Sequence, residues 1–544
     1  MSMKKNIMMI CAAFAFSVAA MAQNLDPTIE VSRVYEGKLI DVHKPAMEMA
    51  VPDTMHRFDL GFDYSVFENP YKGSYDFSPY ILEMRPASSA ASDKVFYLRA
   101  GAGYTLHPTL DVVWSPLQKG AFSVDVYGSH RSYIGEYRAV GGNPTFSGYD
   151  LLSKAGADLG YDWKKASLDF GASYNGIADK DYGRARSYNA VDAYATLKSK
   201  SSWPENFMYQ VAFAYKYSQD NFSDLCGNDF KLDATFGPSF NHGGKVLFDL
   251  GVELDSYSGG LESTFGAFYL VPHYVYSKGV FKVDAGVRVS VLTDSEKGQL
   301  AKGQVVYPDV KMTVGVIPDA MRLYLNIGGG DKIQTYASIL EKNHHADLTY
   351  GLAGPMSLVN ASVERVSAVL GLAGRITSYF SYDVKGGYVN YGNAPLEAAY
   401  ELSEGVYAPA IGYSSYQKWF AALDWNLCLQ DFRFDGSLEF TKAWGIENEF
   451  MAAPSLLKGD VSALYDWHKR IYAGIDCEFA TSRSSAAGFK MPGYADLGVY
   501  AEYVMNRKLS FWLRGGNLLN MEIQRNLLFA EKGINFTAGI CLSF

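Results

Sequence analysis

The chain has 544 residues, a formal net charge of −9, 48% hydrophobic side chains, 40 Tyr, 32 Phe and 52 Gly. The acidic balance lacks the basic footprint of a nucleic-acid binder, which excludes nucleic acid as a partner. No segment supplies the ~20 consecutive apolar residues of a transmembrane helix, so an apolar, Tyr-rich chain of this kind either folds as a soluble exported protein or crosses a membrane with strands.

The N-terminus reads as a secretory signal peptide over 1–22. Lys4 and Lys5 form the basic region, Ile7 to Val18 the apolar region, and Ala20-Met21-Ala22 before Gln23 a small-x-small cleavage site. Cys11 follows Ile10 inside the apolar core, where a lipid-attachment signal requires a small residue, so no lipid anchor is expected. Four Cys remain in the mature chain, and their spacings fit neither a disulfide framework nor a zinc site.

Residues 23–94 read as a separate N-terminal segment, either periplasmic or filling a lumen. It begins with the extended run Thr28-Ile29-Glu30-Val31 and continues through Pro- and Met-rich sequence to Asp53-Thr54. An alternating run follows from Phe58 to Val66, and Asn69-Pro70 and Arg85-Pro86 interrupt what comes after.

From Val95 to the C-terminus, strand alternation recurs. Leu168, Phe170, Ala172 and Tyr174 interleave with Ser167, Asp169, Gly171 and Ser173. Val246 to Leu254, Phe281 to Val289 and Phe432 to Phe440 repeat the pattern, each opposing an apolar row to a row containing charges. An apolar face set against a charged face over ten residues suits a wall between lipid and a watery lumen. On this alternation Arg433, Asp435, Glu439, Asp476, Glu478, Asp496, Glu502 and Arg514 face the lumen. Cys477 falls on the lipid side and Cys541 on the lumen side.

The connectors alternate in length. Short ones include Lys164-Lys165, Gln430-Asp431 and His468-Lys469; longer ones span 133–149, 178–186, 219–227, 293–302, 330–363, 393–414, 445–455, 481–492 and 519–533. The expected fold is therefore all-β: a transmembrane antiparallel outer-membrane β-barrel over 95–544. It has about 22 strands, with about 18 to 22 acceptable, short periplasmic turns and longer outer loops. An even strand number leaves both termini on the periplasmic side of a Gram-negative outer membrane.

In the longest connector, Thr335 to Lys342 predicts a short helix, with Ile339 and Leu340 docking back onto the barrel mouth. His344-His345 and Asp347 follow. Adjacent histidines in an extended loop point apart, so these are expected to be solvated rather than metal ligands. The aromatics Tyr133, Tyr137, Tyr400 and Tyr407 fall in the longer connectors as candidate ligand contacts or interface anchors. There is no G-x-S-x-G elbow, H-E-x-x-H pair or P-loop, so no enzyme activity, catalytic residue, metal or cofactor is expected.

The chain ends on a strand with Phe536, Ala538, Ile540, Leu542 and Phe544 on one face. Within it Thr537, Gly539, Leu542 and Phe544 resemble the C-terminal insertion signal read by the barrel-assembly machinery of outer-membrane proteins. Just before, Leu509-Ser510-Phe511-Trp512-Leu513-Arg514-Gly515-Gly516-Asn517-Leu518-Leu519-Asn520 resembles the penultimate strand of TonB-dependent receptors. Those receptors hold a globular plug larger than residues 23–94 inside the barrel. The short segment with Glu30-Val31-Ser32-Arg33-Val34-Tyr35 and Asp53-Thr54 is instead similar to the plug-lacking, receptor-like barrels of Bacteroidetes.

The resemblance implies uptake or transport across the outer membrane. It also implies Thr28-Ile29-Glu30-Val31 as a TonB-box-like strand for a periplasmic energy-coupling protein, and a surface lipoprotein as a partner. The missing plug leaves a second reading open: a non-transporting subunit of a multiprotein outer-membrane assembly for protein insertion, secretion or envelope tethering. In either case a barrel this wide needs something in its lumen. The candidates are residues 23–94, the 330–363 loop or a partner.

Overall fold

The structure is a computed structural model that describes residues 95–104, 106–117, 121–140, 144–181, 184–200, 207–240, 244–295, 300–317, 320–346, 359–403 and 406–544. The signal peptide and the segment 23–94, with Thr28 to Val31 and Asp53-Thr54, lie outside the described residues.

The described chain is almost entirely strand. In order these are β1 (Phe96–Tyr104), β2 (Thr109–Leu117), β3 (Phe122–Tyr137), β4 (Phe146–Asp162), β5 (Ala166–Asp181), β6 (Arg184–Ser199), β7 (Phe207–Asp220) and β8 (Leu225–Pro238). Next come β9 (Gly244–Gly259), β10 (Ser263–Lys278), β11 (Phe281–Asp294), β12 (Val306–Ile317) and β13 (Met321–Gln334), then helix α1 (Tyr336–Lys342). The chain continues with β14 (Asn360–Arg375), β15 (Phe380–Ser403), β16 (Val406–Cys428), β17 (Phe432–Trp444), β18 (Leu457–Trp467) and β19 (Ile471–Ala480). A small hairpin of β20 (Arg483–Ser484) and β21 (Lys490–Met491) precedes β22 (Tyr494–Asn506), β23 (Leu509–Gly516) and β24 (Asn535–Ser543).

All of these except β20 and β21 form one 22-stranded antiparallel sheet in which each strand pairs with its neighbour in sequence, β19 passing directly to β22. Pairing of β1 with β24, from Tyr97 opposite Ser543 to Tyr104 opposite Phe536, closes the sheet into a barrel with no free edge. The strand count and class match the sequence expectation.

The terminal residue is part of the closure. The carbonyl of Phe544 accepts from the N–H groups of Val95 and Phe96, each at 2.8 Å, and its ring lies 4.9 Å from that of Phe96. On β24, Asn535, Thr537, Cys541 and Ser543 are buried while Phe536, Ala538 and Ile540 are exposed, so the strand divides as its alternation indicates. Gly539 has a packing reason. A Cβ there would lie 2.1 Å from the carbonyl of Ala100 and 2.6 Å from the Trp512 indole, which lies across the seam.

The outward face is apolar from strand to strand, with Phe170, Val191, Val287, Leu370, Ile475 and Leu513 among its exposed side chains. Near the short-turn end, aromatic residues recur around the wall: Phe122 and Tyr161 pack at 4.4 Å, and Phe281, Tyr379, Tyr465 and Trp467 are exposed on or beside other strands at the same end. An apolar band bordered by aromatic side chains is what a lipid-facing barrel wall requires.

The long-loop end departs from expectation in one respect. Several connectors read as loops are strand: β5 and β6 run to Asp181 and from Arg184, and β15 and β16 extend to 24 and 23 residues. Gly392-Asn393 is absorbed as an irregularity in register between Tyr391 and Ala394, after which pairing resumes through Pro395. Tyr133 and Tyr137 consequently belong to β3, and Tyr400 and Tyr407 to this projecting hairpin, rather than to loops.

Candidate functional site: two loops folded into the barrel mouth

The first loop carries α1. Thr335 caps its N-terminus by accepting from the N–H of Ser338, and the N–H of Asn343 closes the other end on the carbonyl of Ile339. Seven residues form too short a helix to stand alone; packing holds it. Tyr336, Ala337, Ile339 and Leu340 are fully buried against wall residues including Leu152, Ile177, Tyr188, Leu225 and Phe265. Burying Ile339 and Leu340 contributes about 1.5–3 kcal/mol each. The Tyr336 hydroxyl donates to Asp220 and lies 2.5 Å from that of Ser223. Arg186 on β6 donates to the carbonyls of His344, at 2.5 Å, and Ala346, at 2.8 Å.

His344 and His345 are buried, contrary to the expectation of solvated loop residues. They follow a helix and a turn, in which the Asn343 side chain accepts from the N–H of His345, so both rings turn inward instead of splaying from an extended chain. His344 Nε2 lies 3.1 Å from Asp150 Oδ2. Burial opposes a charge on His344, but Asp150 outweighs it and lifts its pKa above the ordinary value. Burial, with His344 alongside, pushes His345 well below. Asp150, His344 and His345 form a group whose ligand atoms lie within 4.8 Å of one another. Asp347 lies outside the described residues.

The second loop runs from Asn517 to Ile534 between β23 and β24. Asn517 and Asn520 begin it with φ of 46° and 51°, a left-handed conformation that Asn tolerates better than most residues. The Asn517 side chain accepts from the N–H of Met521 and donates to its carbonyl, each at 2.9 Å. These contacts give the Asn-Leu-Leu-Asn run a mechanical role: it turns the chain off the wall.

Arg525 then fixes the loop. Its guanidinium reaches Glu478 Oε2 at 2.8 Å and Asp496 Oδ2 at 2.9 Å on two neighbouring strands, and it also pairs with Glu531 of its own loop. Leu527 N–H donates to Glu397, which is paired with Arg483, and Arg483 donates to the carbonyl of Arg525. Arg138 donates to the Asn520 side chain at 2.5 Å.

The loops meet where the His345 ring stacks on Phe529, with centroids 3.5 Å apart and planes 14° apart. Phe529 in turn packs on Tyr137 of β3. Two connectors rooted far apart in sequence thus join across the mouth at the long-loop end.

The structure brings Glu478 and Asp496 together through Arg525. The other charges named from sequence stay in local pairs. Arg433 bonds Asp435 at 2.8 Å, Glu439 pairs with Lys458, and Arg514 approaches Asp476 at 3.5 Å. Glu502, buried, accepts from Ser510 and Tyr500. Among the insertion-signal residues, Thr537 Oγ1 lies 2.5 Å from His107 Nε2. Nothing in the sequence alone marks Arg525, Arg186 or Asp150, whose partners lie far off along the chain.

No family model matches the chain, and no curated protein is similar to it in sequence. Solved structures share its fold. A structure described as the copper transporter OprC superposes with a TM-score of 0.61 at 11% identity, over 83% of this chain and 80% of that one. The FrpB iron transporter from Neisseria meningitidis gives 0.62 at 9% identity, over 82% and 81%. The siderophore receptor PirA from Acinetobacter baumannii gives 0.58 at 11%, over 82% and 80%. At these identities the likeness is one of fold: a barrel architecture shared with transporters and receptors.

Proposed function

We propose that the chain is an outer-membrane transport barrel of the TonB-dependent-receptor type, related to the plug-lacking receptor-like barrels of Bacteroidetes. Residues 1–22 are a signal peptide, both termini are periplasmic, and 23–94 form an abbreviated gate. The supporting observation is the 22-stranded closed wall with two of its own loops latched into one mouth. A lumen of that width breaches the permeability barrier unless it is filled, and loops held by side-chain contacts can be released. Transport is then gated, with ligand capture at the outer mouth coupled to release of the His345–Phe529 contact. Thr28 to Val31 would engage a periplasmic energy-coupling protein, and a surface lipoprotein would cap the outer rim.

One observation favours a second reading. The loops are riveted by arginine pairs, above all Arg525 bridging two wall carboxylates, as suits a permanently closed barrel serving as a subunit of an outer-membrane assembly.

Affinity purification from native outer membranes separates the two, with a tag placed at Gly260, exposed at the tip of the β9–β10 hairpin. Co-purification of an energy-coupling protein or one abundant surface lipoprotein supports transport. Recovery of several other barrels and periplasmic factors in fixed ratio replaces it with the assembly reading.

A further inference from the structure

We infer that Asp150, His344 and His345 form a binding site for a divalent transition-metal ion that pins the α1 loop to the barrel wall. Two imidazoles and a carboxylate are a donor set suited to Zn²⁺, whose fourth coordination position a water commonly fills. The three side chains converge from two separate parts of the chain, Asp150 from β4 and the histidines from the loop after α1. Their ligand atoms lie within 4.8 Å of one another. Bonds of about 2.0–2.2 Å around one ion bring such atoms to roughly 3–4 Å, so closure needs only a small rotation of the rings.

A second observation points to a ligand independently of the clustering. His345 is 7% exposed, and its Nδ1 has no hydrogen-bond partner; the second carboxylate oxygen of Asp150, Oδ1, is likewise buried without one. Buried polar atoms are normally satisfied, and an orphaned imidazole nitrogen beside an orphaned carboxylate oxygen matches what an ion would take up. Of the positive groups nearby, Lys532 of the second loop acts on Asp150 through space and leaves its Oδ1 without a hydrogen bond. Arg186 is committed to the carbonyls of His344 and Ala346 and to Asp220 at 3.6 Å, and Asp179 adds a further carboxylate close by. Because His345 also carries the stack on Phe529, an ion here would tie both loops and β4 into one unit. The inference stands on geometry and does not require the transport reading.

The test uses the full-length protein without a polyhistidine tag, purified in detergent, stripped with EDTA, dialysed against Zn²⁺ and washed before metal analysis. The wild type is expected to retain about one ion per chain, and His345→Ala and Asp150→Asn to lose affinity roughly tenfold or more. Folding of each variant is checked by its heat-dependent mobility on gels. Retention unchanged by both substitutions, or no retention by the wild type, overturns the site. Should the variants fail to fold, Co²⁺ bound to the wild type decides. Intense d–d bands of a four-coordinate nitrogen/oxygen site are expected, and the weak octahedral spectrum of the hydrated ion contradicts it.

Discussion

His345 and Phe529, 184 positions apart in the chain, stack in the barrel mouth with ring centroids 3.5 Å apart. Each belongs to a loop that is fixed independently to the wall, the first by α1 and Arg186, the second by Arg525. The stack is therefore the joint between two braced arms. Phe529→Ala removes that joint and its packing on Tyr137, a buried aromatic truncation worth about 3–5 kcal/mol. Hydrogen exchange should accelerate in both 336–346 and 519–533, with the wall strands unchanged. Faster exchange in only one loop would show that they are not coupled.

Arg525 should be less replaceable than its neighbours. Substitution by Met leaves Glu478, Asp496 and Glu531 without their shared cation, and losing charge-assisted hydrogen bonds at this part-buried site costs about 1.5–3 kcal/mol. Lys should restore little, because it lacks the planar fork that serves two wall carboxylates at once. Limited proteolysis of the 517–534 loop should rank wild type, then Lys, then Met in order of increasing cleavage. Equal cleavage of all three would contradict the role given to Arg525.

Leu340 is fully buried in the cluster that holds α1. Leu340→Ala is expected to weaken helix docking by about 2–5 kcal/mol. Since the wall closes through its own strand pairs, heat-dependent gel mobility of the barrel should be retained while the 335–346 segment becomes protease-sensitive. Loss of the folded barrel itself would mean that the loop is needed for assembly and not only for closure.

Gly539 sits under the Trp512 indole at the seam between β1 and β24. Gly539→Ala forces its methyl against the Ala100 carbonyl and the indole, and overpacking of this kind costs about 1–3 kcal/mol. The yield of folded barrel should fall, and Gly539→Ala combined with Trp512→Leu should recover part of it. Recovery limited to the double variant separates a packing defect from a damaged insertion signal.

The wall was legible in the sequence because period-two alternation is a local signal and the short connectors are punctuated by charged and turn residues. The mouth was not, for two reasons. Gly392-Asn393 and Pro395 read as loop residues, yet a register irregularity lets β15 and β16 continue past them. The second reason concerns pairing. Glu478 and Asp496 were identifiable as charges on the polar face of their strands, but their partner Arg525 lies in a connector, and strand alternation assigns no direction to a loop. His344 and His345 show the same limit, since their burial follows from α1 docking as a whole.

The most direct measurement is access to the lumen from outside the cell. Ser437 lies in mid-wall on the polar face of β17, bonded across to Asp460. With the native cysteines replaced, Ser437→Cys is exposed on intact cells to a membrane-impermeant PEG-maleimide. With the loops intact, the thiol should stay unmodified, and adding Arg525→Met with Phe529→Ala should make it react. Rapid labelling with both loops unaltered would contradict a closed mouth.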